Sequence, residues 1–234
     1  MANTKKEVKE VSIKIKPPRI ETAEITLVGD TPLIVHAWSE KAKKEMLDAQ
    51  QKEKKDKKAK DKRDPFAEFV DALYWLTPKP EEKTPQAFEA AVAAGAKFGF
   101  PITAIKQAAL SACYRAGVIP NQAGMKSAFF LNAVSGVNPE TGSELAEIET
   151  QEPPEFREDM VKIGGMQKVA DLRYRPAFRN WKIRLKISLI SVGTFDMESI
   201  INAINMGGFM NGIGEWRMER DGDFGRFHVE LTEG

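Results

Sequence analysis

Trp181-Lys182-Ile183-Arg184-Leu185-Lys186-Ile187-Ser188-Leu189-Ile190 alternates almost without interruption. Apolar side chains stand at 181, 183, 185, 187 and 189, and Lys182, Arg184, Lys186 and Ser188 stand between them. A repeat of two is the signature of a strand with one dry and one wet face. Such strands belong to antiparallel sheets that cover one face with helices and leave the other to solvent. If Ile183, Leu185 and Ile187 are buried, then Lys182, Arg184 and Lys186 form a positive stripe on the opposite face. The alternative is an ordinary solvated outer face.

Downstream, Asp196 reads as a helix cap ahead of Ile200, Ile201 and Ile204. That helix should end near Met206, because Gly207, Gly208, Gly212 and Gly214 then fall within eight residues. Glycine clusters where the backbone takes positive φ or comes close to another group. Two readings remain open for Met206 to Arg217. One is a loop whose exposed amides cradle a phosphate. The other is a tight helix-to-strand connection with a glycine cap. Trp216–Met218 and Phe227–Leu231 are expected to form a hairpin around Asp221-Gly222.

Upstream, Arg173-Tyr174-Arg175-Pro176-Ala177-Phe178-Arg179-Asn180-Trp181-Lys182 mixes cations with aromatic rings. Single-strand binding needs cations for phosphates and flat side chains for bases. Residues 151–170, with Pro153-Pro154 and Gly164-Gly165, read as irregular. Leu145–Thr150 and Ala128–Val134 are strand candidates. Ala104–Ala116 reads as a helix rich in small residues and stopped by Gly117, and Gln86–Ala94 is alanine-rich. Asp64-Pro65 starts a packed helix through Phe66, Phe69, Val70 and Leu73.

Near the N-terminus, Ile20–Val28 alternates, and Gly29-Asp30-Thr31-Pro32 is a turn. Residues 1–19 form a polar arm in which Val11, Ile13 and Ile15 alternate with Ser12, Lys14 and Lys16, consistent with an edge strand. Ser39 is placed to cap a helix from Glu40. Between Lys41 and Arg63 stand eleven basic and five acidic residues, a local charge of +6 in a chain whose net charge is +1. After Gln50 that segment has no apolar stripe, so it is either a solvated helix or a disordered basic insertion at about 40–63.

At 234 residues and 42% hydrophobic residues, the chain can build a substantial core. Residues 20–234 are expected to form a single α+β domain, with helices on one side of an antiparallel sheet. A ferredoxin-like β-α-β-β-α-β core with helical insertions suits the order of elements. One cysteine, Cys113, precludes an intrachain disulfide. No apolar run is long enough for a membrane span, and no apolar signal core opens the chain, so a cytoplasmic protein without membrane contact is expected. His36 and His228 are far apart in sequence and read as structural. No zinc spacing, catalytic triad, P-loop or dinucleotide fingerprint is present, so no metal, cofactor or catalytic residue is nominated.

The Gly207-Gly208 and Gly212-Ile213-Gly214-Glu215-Trp216-Arg217 pattern resembles the glycine-rich loop of the RAMP superfamily. These are the repeat-associated RNA-binding proteins that form the backbone of CRISPR effector complexes. Gly222-Asp223-Phe224-Gly225-Arg226-Phe227 continues in the same style. Phe100-Pro101-Ile102-Thr103-Ala104-Ile105-Lys106-Gln107-Ala108-Ala109 is similar to a helix-opening segment of the same family. The chain also resembles bacteriophage-encoded proteins, which would place it in the bacterial host cytoplasm. The long basic run is not a hallmark of the family. No histidine sits in the glycine stretch, so the RNA cleavage of some members is not implied.

The resemblance implies a modified ferredoxin-like or RRM-like fold, binding of RNA or single-stranded DNA, and head-to-tail self-association into a filament or ring. It carries roles onto Lys106, Gly207, Gly208, Gly212, Gly214 and Arg217 as phosphate contacts. With Arg173, Tyr174, Arg175, Phe178, Arg179, Lys182 and Arg184 they make up the expected nucleic-acid site. The expected protein is therefore a non-catalytic single-strand binder. The alternatives are a phage structural or host-takeover protein acting through protein contacts, and a nucleotide-dependent enzyme using the glycine loop.

Overall fold

A computed structural model describes residues 17–38, 40–51, 63–136, 144–163, 169–190 and 195–231. The strands are β1 Ile20–Gly29, β2 Leu33–Ile34, β3 Gly99–Pro101, β4 Phe129–Ala133, β5 Leu145–Glu147, β6 Glu149–Thr150, β7 Glu155–Ile163, β8 Val169–Phe178, β9 Trp181–Ile190 and β10 Phe227–Leu231. The helices are α1 Glu40–Gln50, α2 Pro65–Asp71, α3 Pro85–Ala93, α4 Ile102–Arg115, α5 Ala123–Ala128 and α6 Met197–Met210. The mixture of antiparallel sheets and helices is the α+β class anticipated from the order of elements. The alternating arm at 11–16 and the basic run at 52–62 lie outside the described residues.

The main sheet runs in the order β10-β1-β9-β4, with β6 pairing β9 beyond the end of β4. Every pairing in it is antiparallel. The alternation of β9 is obeyed throughout: Trp181, Ile183, Leu185, Ile187 and Leu189 are buried, while Lys182, Arg184 and Lys186 are exposed. β1 follows the same rule at Ile25 and Leu27. Burying one such side chain contributes about 1.5–3 kcal/mol, so two adjacent central strands fix the register firmly.

Helices α4 and α6 pack against each other and cover the dry face. α4 presents Ile105, Ala108, Ala109 and Ala112, all buried. Its small residues let α6 come close. At Gly207 an added Cβ would lie 2.7 Å from the Ala109 nitrogen and 2.9 Å from the Ala108 carbonyl carbon. At Gly208 it would lie 2.1 Å from the Phe227 carbonyl oxygen. Asn211 locks the crossing, donating from Nδ2 to the Ala108 carbonyl oxygen at 2.8 Å while 1% exposed.

A second sheet, β2-β8-β7, stands beside the first. β7 and β8 pair over their whole length, from Glu155 opposite Ala177 to Ile163 opposite Val169. β2 joins only at Phe178 and Ala177. The outer half of this ribbon exposes Met160, Val169 and Leu172. Its base is held by α2, where Phe66 and Phe69 lie 6.2 and 5.4 Å from the Phe156 ring. Asp64 caps α2 as expected, accepting from the Phe66 and Ala67 amides. α3 and the short β3–β5 pair complete the apolar cluster with Phe88, Phe98 and Phe100.

Three expectations about the elements are corrected. Residues 155–163 and 169–170 are strand rather than irregular chain. The covered face of this ribbon carries Arg157, Asp159 and Arg175 instead of apolar side chains, so there is no apolar alternation to read. The helix capped by Asp196 continues through Gly207 and Gly208 to Met210, because packing at those two positions overrides the low helix propensity of glycine. The hairpin of 216–231 does not form. Arg217 makes only an isolated parallel bridge to Phe224, a short 3-10 turn spans Met218–Arg220, and Asp221 is left-handed at φ 58°. Phe227–Leu231 pairs with β1 instead.

Candidate functional site

The glycine stretch and the opening of α4 wall the same cleft. Its volume is about 250 Å³, and His36, Tyr74, Gln107, Glu215, Arg217 and Glu219 supply its polar groups. The two segments that carry the family resemblance, more than a hundred residues apart, thus meet in space. Gly212 and Gly214 have φ of 67° and 80°, a region glycine alone enters freely.

Three of the loop's amides are bonded within the fold. The Gly212 amide donates to the Gly207 carbonyl at 3.0 Å, Ile213 to Gly225 at 2.9 Å and Glu215 to Ile34 at 2.9 Å. An amide already bonded inside the fold is not available to a phosphate. Gly207 and Gly208, being helical and buried, present nothing to a ligand. Arg217 closes the loop on itself: its Nη1 donates to the Gly214 carbonyl at 3.0 Å and its Nε to Glu219 at 3.1 Å. At Gly207, Gly208 and Gly212 the expected phosphate cradle is therefore corrected to a structural connection, and the Arg217 guanidinium is engaged by the loop itself, while Gly214 lines the cleft.

Lys106 is also occupied. Its Nζ donates to the carbonyls of Lys126 at 2.7 Å and Phe129 at 2.5 Å, and it lies 4.8 and 4.9 Å from the Phe129 and Phe130 ring centroids. Burial and the nearby Lys126 push its ammonium pKa down. Half-buried, it ties α4 to the end of α5 and the start of β4.

The basic-aromatic run divides between two sheets. Phe178 is 1% exposed in the core, so it cannot stack on a base. Arg175 is 7% exposed and sits between two carboxylates, 3.7 Å from Asp159 and 3.4 Å from Glu215. Among the described residues, its Nε and the Asp159 Oδ2 have no hydrogen-bond partner. Burial pushes the Arg175 pKa down, against the pull of Glu215 and Asp159. Burial, then the Arg175 charge, also lowers the pKa of His36, whose Nδ1 is 3.9 Å from Glu215. Neither histidine nor this charged layer was nominated by sequence, because partners at 36, 159, 175 and 215 share no local spacing.

Arg173, Tyr174 and Arg179 remain at the surface, with Arg173 on Asp171 and Arg179 on Glu155 at 2.9 and 2.5 Å. Arg63 lies 5.8 Å above the Tyr174 ring.

The wet face of the main sheet is not covered by any described helix. Lys182, Arg184 and Lys186 line its middle, and Phe130, 54% exposed, stands on the neighbouring β4 opposite Ser188. Each cation has an acidic neighbour. Lys182 is 3.8 Å from Glu230, Arg184 is hydrogen-bonded to Glu149, and Lys186 is directly across from Glu24. The expected positive excess on this face is thus corrected to a balance of three against three. Exposed pairs of this kind contribute between nothing and 1 kcal/mol, so they yield readily to another partner.

Among the described residues, no group of three or more His, Cys, Asp or Glu is placed to hold a metal ion, and no helix is long and apolar enough to cross a membrane. No protein-family model matches the chain, and no curated protein sequence matches it.

Proposed function

We propose that this protein binds single-stranded nucleic acid, without cleaving it, on the open face of its main sheet, and that protomers associate along the strand. The observation that carries the reading is the uncovered row Lys182-Arg184-Lys186 with the Phe130 ring beside it. Phosphates exchange onto the cations and a base stacks on the ring. Chain order supports a ferredoxin-like core for this platform. The units β1-α4-β4 and β9-α6-β10 give a sheet ordered fourth-first-third-second, each with a helix crossing over the dry face. The RAMP resemblance is compatible with the same core, although its glycine signature serves the fold here.

The balance of charge sets the expected strength. Three phosphate contacts to a single strand give a slope of log affinity against log salt of about −2. Anisotropy of a labelled oligonucleotide should show that slope. The triple substitution K182E/R184E/K186E should abolish binding, while E149Q/E230Q should tighten it without changing the slope. Binding indifferent to salt, or unchanged in the triple variant, would overturn the reading.

One observation favours a second reading, an assembly protein acting through protein contacts alone. The wet face has no net positive excess, and the ribbon exposes Met160, Val169 and Leu172 together. No oligonucleotide binding at low salt, with retained self-association, would select it.

A further inference from the structure

The wet face continues from Lys182 across β1 to β10. Register puts Lys182, Val28 and His228 in one row across three strands, and Arg184, Thr26 and Glu230 in the next. His228 Nδ1 is 2.7 Å from Asp30 Oδ1, and its Nε2 is 3.7 Å from Glu230 Oε1. The other Glu230 oxygen is 3.8 Å from Lys182 Nζ. One carboxylate is therefore shared by a lysine and by a ring that gains charge only on protonation. All four side chains are open to solvent.

Hydrogen-bond chemistry fixes what each state of the ring does. An ionised carboxylate only accepts, so neutral His228 carries its hydrogen on Nδ1 and donates it to Asp30. Nε2 is then a bare lone pair facing a Glu230 oxygen, two acceptors with no hydrogen between them. In that state two carboxylates stand against one lysine, and an arriving phosphate meets net repulsion. A proton on Nε2 supplies the missing donor. The imidazolium then faces Asp30 and Glu230 together, the local charge balances, and Glu230 is drawn off Lys182.

The surroundings of the ring add no competing charge at this range. Among the described residues, the charged groups within ion-pair distance are Asp30, on the turn after β1, and Glu230, on its own strand. Lys182 of β9 follows, through Glu230. Arg226, two residues before the ring, is engaged by Asp223 at 3.6 Å and by the Phe209 ring at 5.0 Å. α6 meets β10 through Asn205, which carries no charge.

We infer that His228 positions Lys182 for phosphate: protonation of its ring engages Asp30 and Glu230 and frees Lys182, so the wet face holds a single strand more tightly in mildly acidic than in mildly alkaline solution. This rests on the proposed strand-binding function and names a regulation of that same face. Because the pairs are exposed, the gain is modest, on the order of fivefold between about pH 8 and about pH 5.5, the span in which imidazole changes charge.

The test is anisotropy of a labelled oligothymidylate, whose bases do not titrate in that span, at constant ionic strength. The unsubstituted chain should show the gain with its salt slope unchanged. The chain has two histidines, so the assignment is separable. H36Q, in the cleft beside α4, should keep the dependence, and H228Q should lose it. H228K should hold the acid-side affinity at both ends of the span. E230Q, in which Lys182 has no carboxylate to share, should bind in alkali about as the unsubstituted chain binds in acid. Melting curves at both pH values check that each variant is folded. Equal affinity at both ends, or a dependence that survives H228Q, would overturn the inference and leave strand binding standing. No binding at low salt at either pH would overturn both.

Discussion

Replacing Gly208 by alanine pits helix propensity against space. In an exposed helix the change would stabilise by about 1 kcal/mol. Here the new methyl would lie 2.1 Å from the Phe227 carbonyl oxygen and 2.6 Å from a carbon of its ring. Ordinary contact begins at 3.4 Å, so α6 and β10 must separate by roughly 1 Å. That movement pulls on the Asn205–Val229 hydrogen bond and on the β1–β10 ladder. Overpacking of this kind costs about 1–3 kcal/mol, and a backbone obstacle places it at the upper end. The net loss should be about 2 kcal/mol, a fall in Tm of about 4–8 °C for a chain of this size. Gly207→Ala, with 2.7 Å to the Ala109 nitrogen, should behave alike. Gly124→Ala in α5, where nothing lies within 4 Å, should leave stability unchanged or raise it slightly. Urea unfolding followed by circular dichroism reads all three. A Gly208→Ala protein as stable as the unsubstituted chain would refute the packing argument.

Other predictions follow from the charged layer and from Lys106. Asp159→Ala removes the Arg157 Nε partner at 2.7 Å and leaves the buried Arg175 with Glu215 alone. Its loss should be about 3 kcal/mol in urea unfolding, and Asp159→Asn should lose less. His36 has a folded pKa below its ordinary 6.5, because burial and then Arg175 disfavour its charge. A lowered value means that the unfolded chain binds the proton first. His36 therefore contributes stability that is full above pH 6.5 and is lost as pH falls through the lowered folded value. His36→Gln should flatten the dependence of unfolding free energy on pH in that window, and an unchanged dependence would sink the assignment. Lys106→Met should cost about 1–2 kcal/mol, since two carbonyls lose their donor, while oligonucleotide affinity stays the same. A weakened affinity with unchanged stability would restore Lys106 as a ligand contact.

Much of the main sheet was legible because its strands are buried on one side only. The period of two in β9 and in the inner part of β1 survives intact, and so do the Asp64 and Asp196 caps. The reading failed where tertiary contact outweighed local preference. Gly207 and Gly208 announce a loop by propensity. Yet Ala203 and Gly207 stand one helical turn apart, matching the small residues of α4, and that spacing was the available signal. The site was less legible than the fold. A cation in a sequence carries no mark of its cross-strand partner, so the stripe at 182, 184 and 186 looked bare until Glu24, Glu149 and Glu230 were placed beside it. Arg175 and Phe178 sit in a run that looks like a binding surface, but β8 turns inward as it approaches β2.

The ribbon of β7 and β8 has a mechanical consequence. Its base is clamped by α2 and β2, and Arg63 ties Asp171 and Leu172 back to the start of α2, whereas among the described residues the ladder beyond Val161 and Asp171 joins only the two strands to each other. Such a ladder unzips from its free end without disturbing the core. Amide exchange should therefore be faster at Lys162 and Ile163 than at Arg157. The same gradient makes this arm the part of the molecule that can bend to meet another surface while the platform beneath it keeps its shape.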